Sequence, residues 1–287
     1  MWFIYALLGA LISSFRKVNE KHLSHMVDHL HLAWMTRLAS LPVMAFLAIV
    51  SGQLFLDQPL SLKFWISFVV VVCVTTPLDT IVYLQSLKHG QLSKISPLLS
   101  LWPVLTLITG AIFLKQIPSI IAVFSVLLIV LGIYILNTKR DSGNVFRNLW
   151  GDRGTRFALI GIITLVFNST LGAIGVAESA PLFFAFWMTI CSVVVQFIYA
   201  QIVAPDKYRH ASKSMILQNG VIQGSASALY FYAVATGPIG YVTAVRSLSS
   251  TFSAVFGAKA FNEGMGTRKF VALILITIGA IVLGIVG

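Results

Sequence analysis

Ten stretches of predominantly apolar residues follow one another along this chain, and few architectures can accommodate them. They run roughly over 2–22, 30–51, 64–87, 93–114, 119–137, 156–177, 181–203, 213–236, 239–261 and 268–287. A helix of about 20 such residues crosses the hydrocarbon layer of a membrane. A soluble fold would need a wet surface, for which roughly 25% charged residues is usual. Here only 10% are charged and 57% are hydrophobic. The chain therefore reads as an all-α integral membrane protein.

The net charge of +11 does not point to nucleic acid. Its Lys and Arg residues are scattered in short segments between apolar runs, as in loops facing an anionic leaflet. Cys73 and Cys191 lie within apolar runs and are expected to be small buried hydrophobes, without a CxxC pair or a disulfide framework. The run Met1–Phe15 lacks a basic n-region and reads as a retained first helix.

The polar segment between the fifth and sixth runs divides the chain, and the two halves repeat. A shift of 147 residues lays GQLSKISPLLSLWPVLTLITGAIFLKQ, from Gly90, over GPIGYVTAVRSLSSTFSAVFGAKAFNE, from Gly237, without a gap. It pairs Tyr83 with Tyr230, Ser100 with Ser247, Gly110 with Gly257 and Gly132 with Gly279. Near the start of each half the offset is 152–153, pairing Gly9 with Gly161, Phe15 with Phe167 and Met35-Thr36 with Met188-Thr189. Five spans per half is an odd number, so the second half enters the membrane from the opposite side. The expected fold is ten transmembrane helices as two inverted five-helix repeats: residues 1–138, a linking loop at 139–155, and residues 156–287. Such repeats suit secondary transporters, because exchanging the conformations of two inverted halves exchanges outward and inward access.

The segment YLQSLKHGQLSKISPLLSLWPVLTLITGAIFLKQ, from Tyr83, resembles the EamA module of the drug/metabolite transporter superfamily. Pro97, Pro103, Gly110 and Phe113 stand at the module's Ser-Pro-Leu-Leu start, mid-helix Pro-Val and Gly-x-x-Phe-Leu exit. The second copy keeps Gly237-Pro238, Gly257 and the exit acid Glu263. The resemblance implies a central cavity lined by helices 1–4 and 6–9, with helices 5 and 10 as scaffold. The chain departs from the pattern at Gln116, which replaces the exit acid of the first copy. It departs again at Ala244 and Ser250, where the second copy lacks the helix prolines, and in the charged run Phe15-Arg16-Lys17-Val18-Asn19-Glu20.

Charges inside hydrocarbon are costly and face a bundle interior or water. Arg37, Asp79 and Arg246 lie within spans; Arg16, Lys17, Glu20 and Glu178 lie near span ends. Counted by depth they form two groups, Arg37/Asp79/Glu20 toward one face and Arg246/Glu178 toward the other. Glu20 and Glu178 are candidates for a gate or ion pair, Arg37 and Arg246 for holding a substrate carboxylate, and Asp79 for proton coupling. Self-satisfied ion pairs or Arg side chains reaching the interface account for the same pattern.

Polar residues recur at helical spacing: Ser13/Lys17/Glu20, Thr76/Asp79/Tyr83, Asn219/Gln223/Ser227/Tyr230 and Thr243/Arg246/Ser250/Ser253. Residues 3–4 apart share a face, so each stripe faces an aqueous pocket or another helix. Substrate-binding candidates are Arg37, Asp79, Tyr83, Trp102, Asn168, Trp187, Gln223, Tyr230, Arg246 and Ser250. Beside the third stripe, Gly220, Gly224 and Ala228 form a small-residue face suited to close helix packing.

Two features stand apart. His22, His25, Asp28, His29 and His31 follow the first run, at a spacing that can hold a metal or form a wet amphipathic extension. Of the Lys and Arg outside the spans, 16 lie in odd-numbered loops and only Lys63 and Lys115 on the other side. The positive-inside rule then puts both termini outside, whereas the resemblance implies cytoplasmic termini.

The expected activity is export of a small organic metabolite, an amino acid or related zwitterion or anion, by alternating access across an inner or plasma membrane. Flipping of a lipid-linked sugar, or a metal-dependent membrane enzyme built on His22–His31, are the alternatives. No catalytic residue, metal or cofactor is expected on the leading reading. The expected partners are the small-molecule substrate and the lipid bilayer, with no nucleic acid. The chain is expected to act as a monomer or homodimer.

Overall fold

A computed structural model describes residues 1–23, 29–56, 59–89, 98–137, 153–203, 212–260 and 267–287. Every regular element among them is helical. The first two helices are α1 (Trp2–Leu23) and α2 (His29–Val50). The third, α3, is continuous but uneven: α-helical over Leu62–Val69, π-helical over Val70–Thr75 and α-helical again over Thr76–His89. Then follow α4 (Trp102–Phe113), α5 (Ile120–Asn137), α6 (Arg153–Ala177), α7 (Pro181–Val203), α8 (Lys213–Thr236), α9 (Ile239–Ala260) and α10 (Thr267–Val286). The hydropathy runs anticipate these bounds to within about three residues, except at the start of α4, where 90–97 lie outside the described residues.

By length and composition, the stretches Leu30–Val50, Leu62–Asp79, Arg156–Ala177 and Pro181–Val203 can each cross a membrane. Apolar residues stay outside: Phe46, Phe124, Ile198 and Ile285 are all exposed, which costs nothing against lipid.

The unevenness of α3 has a local cause. Pro77 has no N–H, so the carbonyl of Cys73 loses its α-helical donor and the ring crowds that turn. The chain widens there, and the N–H of Thr76 bonds back five residues to the carbonyl of Val71. Cys73 is exposed and Cys191 half-buried, so neither is the buried hydrophobe expected from the sequence. In lipid an outward thiol carries little penalty, and hydropathy alone does not say which side of an apolar helix faces in.

The chain folds into two compact units. The first comprises Met1–Pro77 and Leu171–Thr236. In it α8 packs against both α1 and α2. Gly220 makes the α2 contact possible: a β-carbon there would stand 2.8 Å from the carbonyl oxygen of Ala39, and one at Gly224 only 3.1 Å from that of Ser40. The small-residue face thus serves helix packing, as expected. Gly9 of α1 lies against Ala226 and Leu229. Phe184 is fully buried and meets Phe64, Phe68 and Phe231 at centroid distances of 6.1, 5.9 and 5.7 Å. Gly175 leaves room for its ring.

The second unit comprises Leu78–Thr170 and Gly237–Gly287. Its most extensive contact joins α5 and α10. A β-carbon on Gly132 would stand 2.8 Å from the Ala272 oxygen and 3.2 Å from the Ile276 nitrogen. One on Gly279 would stand 2.7 Å from the Ser125 oxygen and 2.8 Å from Ile129 Cγ1. Rising numbers in α5 meet falling numbers in α10, so the two run antiparallel. Gly240 of α9 packs on Leu107 of α4, Gly110 of α4 on Ile239, and Gly161 of α6 on Val82 of α3.

A shared device fixes the ends of the helix pairs. Gly52 and Lys115 both have positive φ, 69° and 57°, and each is followed by a glutamine. Gln53 Oε1 accepts from the Leu182 N–H at 3.0 Å, and Gln116 Oε1 from the Ile239 N–H at 2.9 Å. Each side-chain carbonyl satisfies an orphan donor in the first turn of a later helix. That gives Gln116, read above only as a departure from the family pattern, a structural role.

Candidate functional site

In the first unit the polar stripe of α8 turns inward. Asn219 is fully buried, Tyr230 is 9% exposed, and Gln223 and Ser227 are half-buried. The Arg16 guanidinium of α1 donates to Gln223 Oε1 at 3.2 Å. One turn along, neither Nδ2 nor Oδ1 of Asn219 has a hydrogen-bond partner among the described residues. A buried donor or acceptor left in this condition costs about 1–3 kcal/mol. Ser13, on the stripe of α1, is also buried.

At the other end of this unit, Glu178 Oε2 accepts from the Ser61 hydroxyl at 2.6 Å. Ser61 in turn caps α3 by accepting from the Phe64 N–H at 3.1 Å. Trp187 Nε1 donates to the Leu54 carbonyl at 3.4 Å. Arg37 is half-buried on α2.

The second unit holds Asp79, Trp102, Asn168, Arg246 and Ser250, all half-buried. Two come together directly: the Arg246 guanidinium lies over the Trp102 ring, 6.0 Å from its centroid. A cation over an aromatic face gains about 0.5–2 kcal/mol, the more as water is removed. Trp102 Nε1 also donates to Ser169 Oγ at 3.2 Å, fixing the ring. Two turns along α4, Thr109 and Thr170 share a hydrogen bond of 2.7 Å. Thr243, a turn before Arg246, is fully buried. Each unit therefore carries a half-buried arginine with a described contact, Arg16 on Gln223 in the first and Arg246 on Trp102 in the second.

The side chains of Lys17, Glu20, His22, His29 and Tyr83 lie outside the described residues, as do His25 and Asp28 altogether. His31 is described and buried; its Nδ1 accepts from Trp34 Nε1 at 3.2 Å. No group of three or more potential metal ligands occurs among the described residues. The sequence places Arg16 near a span end, outside the substrate-binding candidates given above, and does not single out Ser61 or Ser169. The signal for Arg16 was present, because the offset of 152 pairs it with Asn168.

Helices of this composition, with polar faces turned inward, define a multi-pass membrane protein of transporter type. The model of the EamA-like transporter family matches residues 1–138 and 153–285, and the chain belongs to that family. A solved crystal structure of another protein matches with a TM-score of 0.81 at 15% identity. The match covers 100% of this chain and 99% of the other, and at that identity it speaks for the fold alone. A search among curated proteins finds no significant match.

Proposed function

We propose that this protein is a secondary transporter that exports a small organic zwitterion or anion across the cell membrane by alternating access between two inverted five-helix repeats. The observation that carries this reading is that the glycine contacts recur at equivalent residues. The 147-residue shift takes Gly132 to Gly279, Ser125 to Ala272 and Ile129 to Ile276, so the α5–α10 interface maps onto itself. A self-complementary contact between antiparallel helices has a two-fold axis across them. In a membrane such an axis relates halves of opposite topology, the relation that alternating access uses. The same holds elsewhere: Gly9 against Leu229 becomes Gly161 against Val82 under offsets of 152 and 147.

Arg246 on Trp102 and Arg37 are the proposed anchors for an anionic group, with Asn168, Gln223, Tyr230, Trp187 and Ser250 as polar or aromatic lining. Asp79 is the proposed proton carrier, with Tyr83 beside it on the α3 stripe, and Glu20 and Glu178 mark the two mouths.

The test is flux in proteoliposomes loaded with a metabolite library, with and without a proton gradient. Saturable release of one class of zwitterion or anion is expected, weakened by Arg246→Ala or Arg37→Ala. Absence of flux for every compound, or flux indifferent to both substitutions, refutes the reading.

A further inference from the structure

The chain has only two cysteines, and the fold brings them to one place. α3 and α7 start side by side: the Ser61 hydroxyl donates to Glu178, and Phe64 meets Phe183 at a centroid distance of 6.0 Å. Further along, the π segment Val70–Thr75 carries the main contact of α3 with α7, so the two helices run parallel. Counted from the ring pair, Cys73 is nine residues on and Cys191 eight. At 1.5 Å per residue these are about 13.5 and 12 Å along the helices. The widened π turn climbs less per residue and narrows the difference. Both thiols are free, Cys73 exposed and Cys191 half-buried, and they are close enough to act on each other electrostatically.

The repeat shows how this contact closes. The 147-residue shift takes Cys73 to Gly220, and the offset of 153 that pairs Met35 with Met188 takes Ala39 to Ser192, next to Cys191. The crossing of α3 with α7 is thus the counterpart of the crossing of α8 with α2, where Gly220 lies on the Ala39 backbone. Among the described residues the α8–α2 contact is extensive and the α3–α7 contact much less so. If α3 and α7 draw in as α8 and α2 do, a cysteine standing where the other crossing has glycine stops them short of backbone contact. Two β-carbons then face each other at about 3.5–4.5 Å, the separation that a disulfide spans.

We propose that Cys73 and Cys191 are a redox pair whose disulfide pins α3 to α7 at the π segment. The step needs a two-electron oxidant that enters the bilayer, such as the azo compound diamide. Two S–H bonds break and one S–S bond forms; both protons and the electron pair pass to the N=N bond, which becomes that of a hydrazine. The pair stands on the geometry of α3 and α7. Its consequence, that oxidation arrests flux, rests on the transport reading.

The test uses the full chain in proteoliposomes, with a protease site introduced within 139–152 so that cleavage leaves the two cysteines on separate fragments. After diamide the fragments should stay joined on a non-reducing gel, and dithiothreitol should part them. Cys73→Ser and Cys191→Ser should each abolish the link. Cys191→Ser with Ile198→Cys returns a thiol to the same face of α7 two turns further on, and should not link. Release of any metabolite that the reduced protein carries should stop on oxidation and return with dithiothreitol. The proposal is overturned if the wild-type fragments part without reductant, if the chain links only to a second copy, or if the Ile198→Cys variant links as readily. It is overturned too if release continues unchanged through a fully formed link. A link between Cys73 and Cys191 in a protein that releases no compound in either redox state would uphold the pair and remove the transport reading instead.

Discussion

Substituting alanine at Gly132 or Gly279 probes the contact on which the repeat argument stands. A β-carbon on Gly132 would lie 2.8 Å from a backbone oxygen of α10, and one on Gly279 2.7 Å from a backbone oxygen of α5. Backbone cannot swing aside as a side-chain tip can, so the helices must part. Overpacking of this kind costs about 1–3 kcal/mol, against which alanine returns up to about 1 kcal/mol in helix propensity. Gly172→Ala is the control, because its β-carbon would meet only Phe184 Cε1 at 3.9 Å, an ordinary contact. At about 2–4 °C per kcal/mol for a chain of this order of size, Gly132→Ala and Gly279→Ala should each lower the thermal midpoint in detergent by several degrees. Gly172→Ala should leave it unchanged or raise it slightly. Both glycines serve one interface, so the double variant should lose less than the two single losses combined: helices already parted by one methyl accommodate the second. A Gly132→Ala variant as stable as Gly172→Ala, or strictly additive losses in the double variant, would refute the reasoning.

Further outcomes follow from other contacts. Gln53→Ala and Gln116→Ala should each destabilise by about 0.5–2 kcal/mol, the range for losing a helix cap, seen as lower midpoints in the same melt. Ser61→Ala removes both the cap of α3 and the bond to Glu178, so it should cost at least as much as Glu178→Gln, which leaves the cap in place. Trp102→Phe keeps a ring beneath Arg246 but loses the bond to Ser169, and should reduce flux less than Trp102→Ala; equal losses would remove the stacked arginine from the site. A cysteine appended at the C-terminus should react with an impermeant maleimide added outside intact cells, as the charge asymmetry of the loops requires. Labelling only after permeabilisation would reverse the orientation.

Much of this architecture was legible in the residues. In lipid a helix must satisfy its backbone internally, so apolar length alone gave the bounds of α2, α7 and α8 closely. The pairing of Gly132 with Gly279 was visible as an identity in the 147-residue shift, and the small face of Gly220 and Gly224 as a spacing. Stripes such as Asn219/Gln223/Tyr230 were legible because four-residue periodicity fixes which side chains share a face. The π segment of α3 was not foreseen, although Pro77 carries its cause.

Sequence by itself thus determined that the chain spans a membrane, where its helices lie, and that its halves repeat. Only the tertiary structure decided which faces meet. It set Arg16 against Gln223, 207 residues away, laid Arg246 over Trp102, and turned Cys73 outward. The reason is physical. Between helices in hydrocarbon there is no hydrophobic gradient to mark inside from outside, so partners are chosen by shape and by a few polar groups. Those matches arise between helices distant in the chain, and periodicity along one helix carries no record of them.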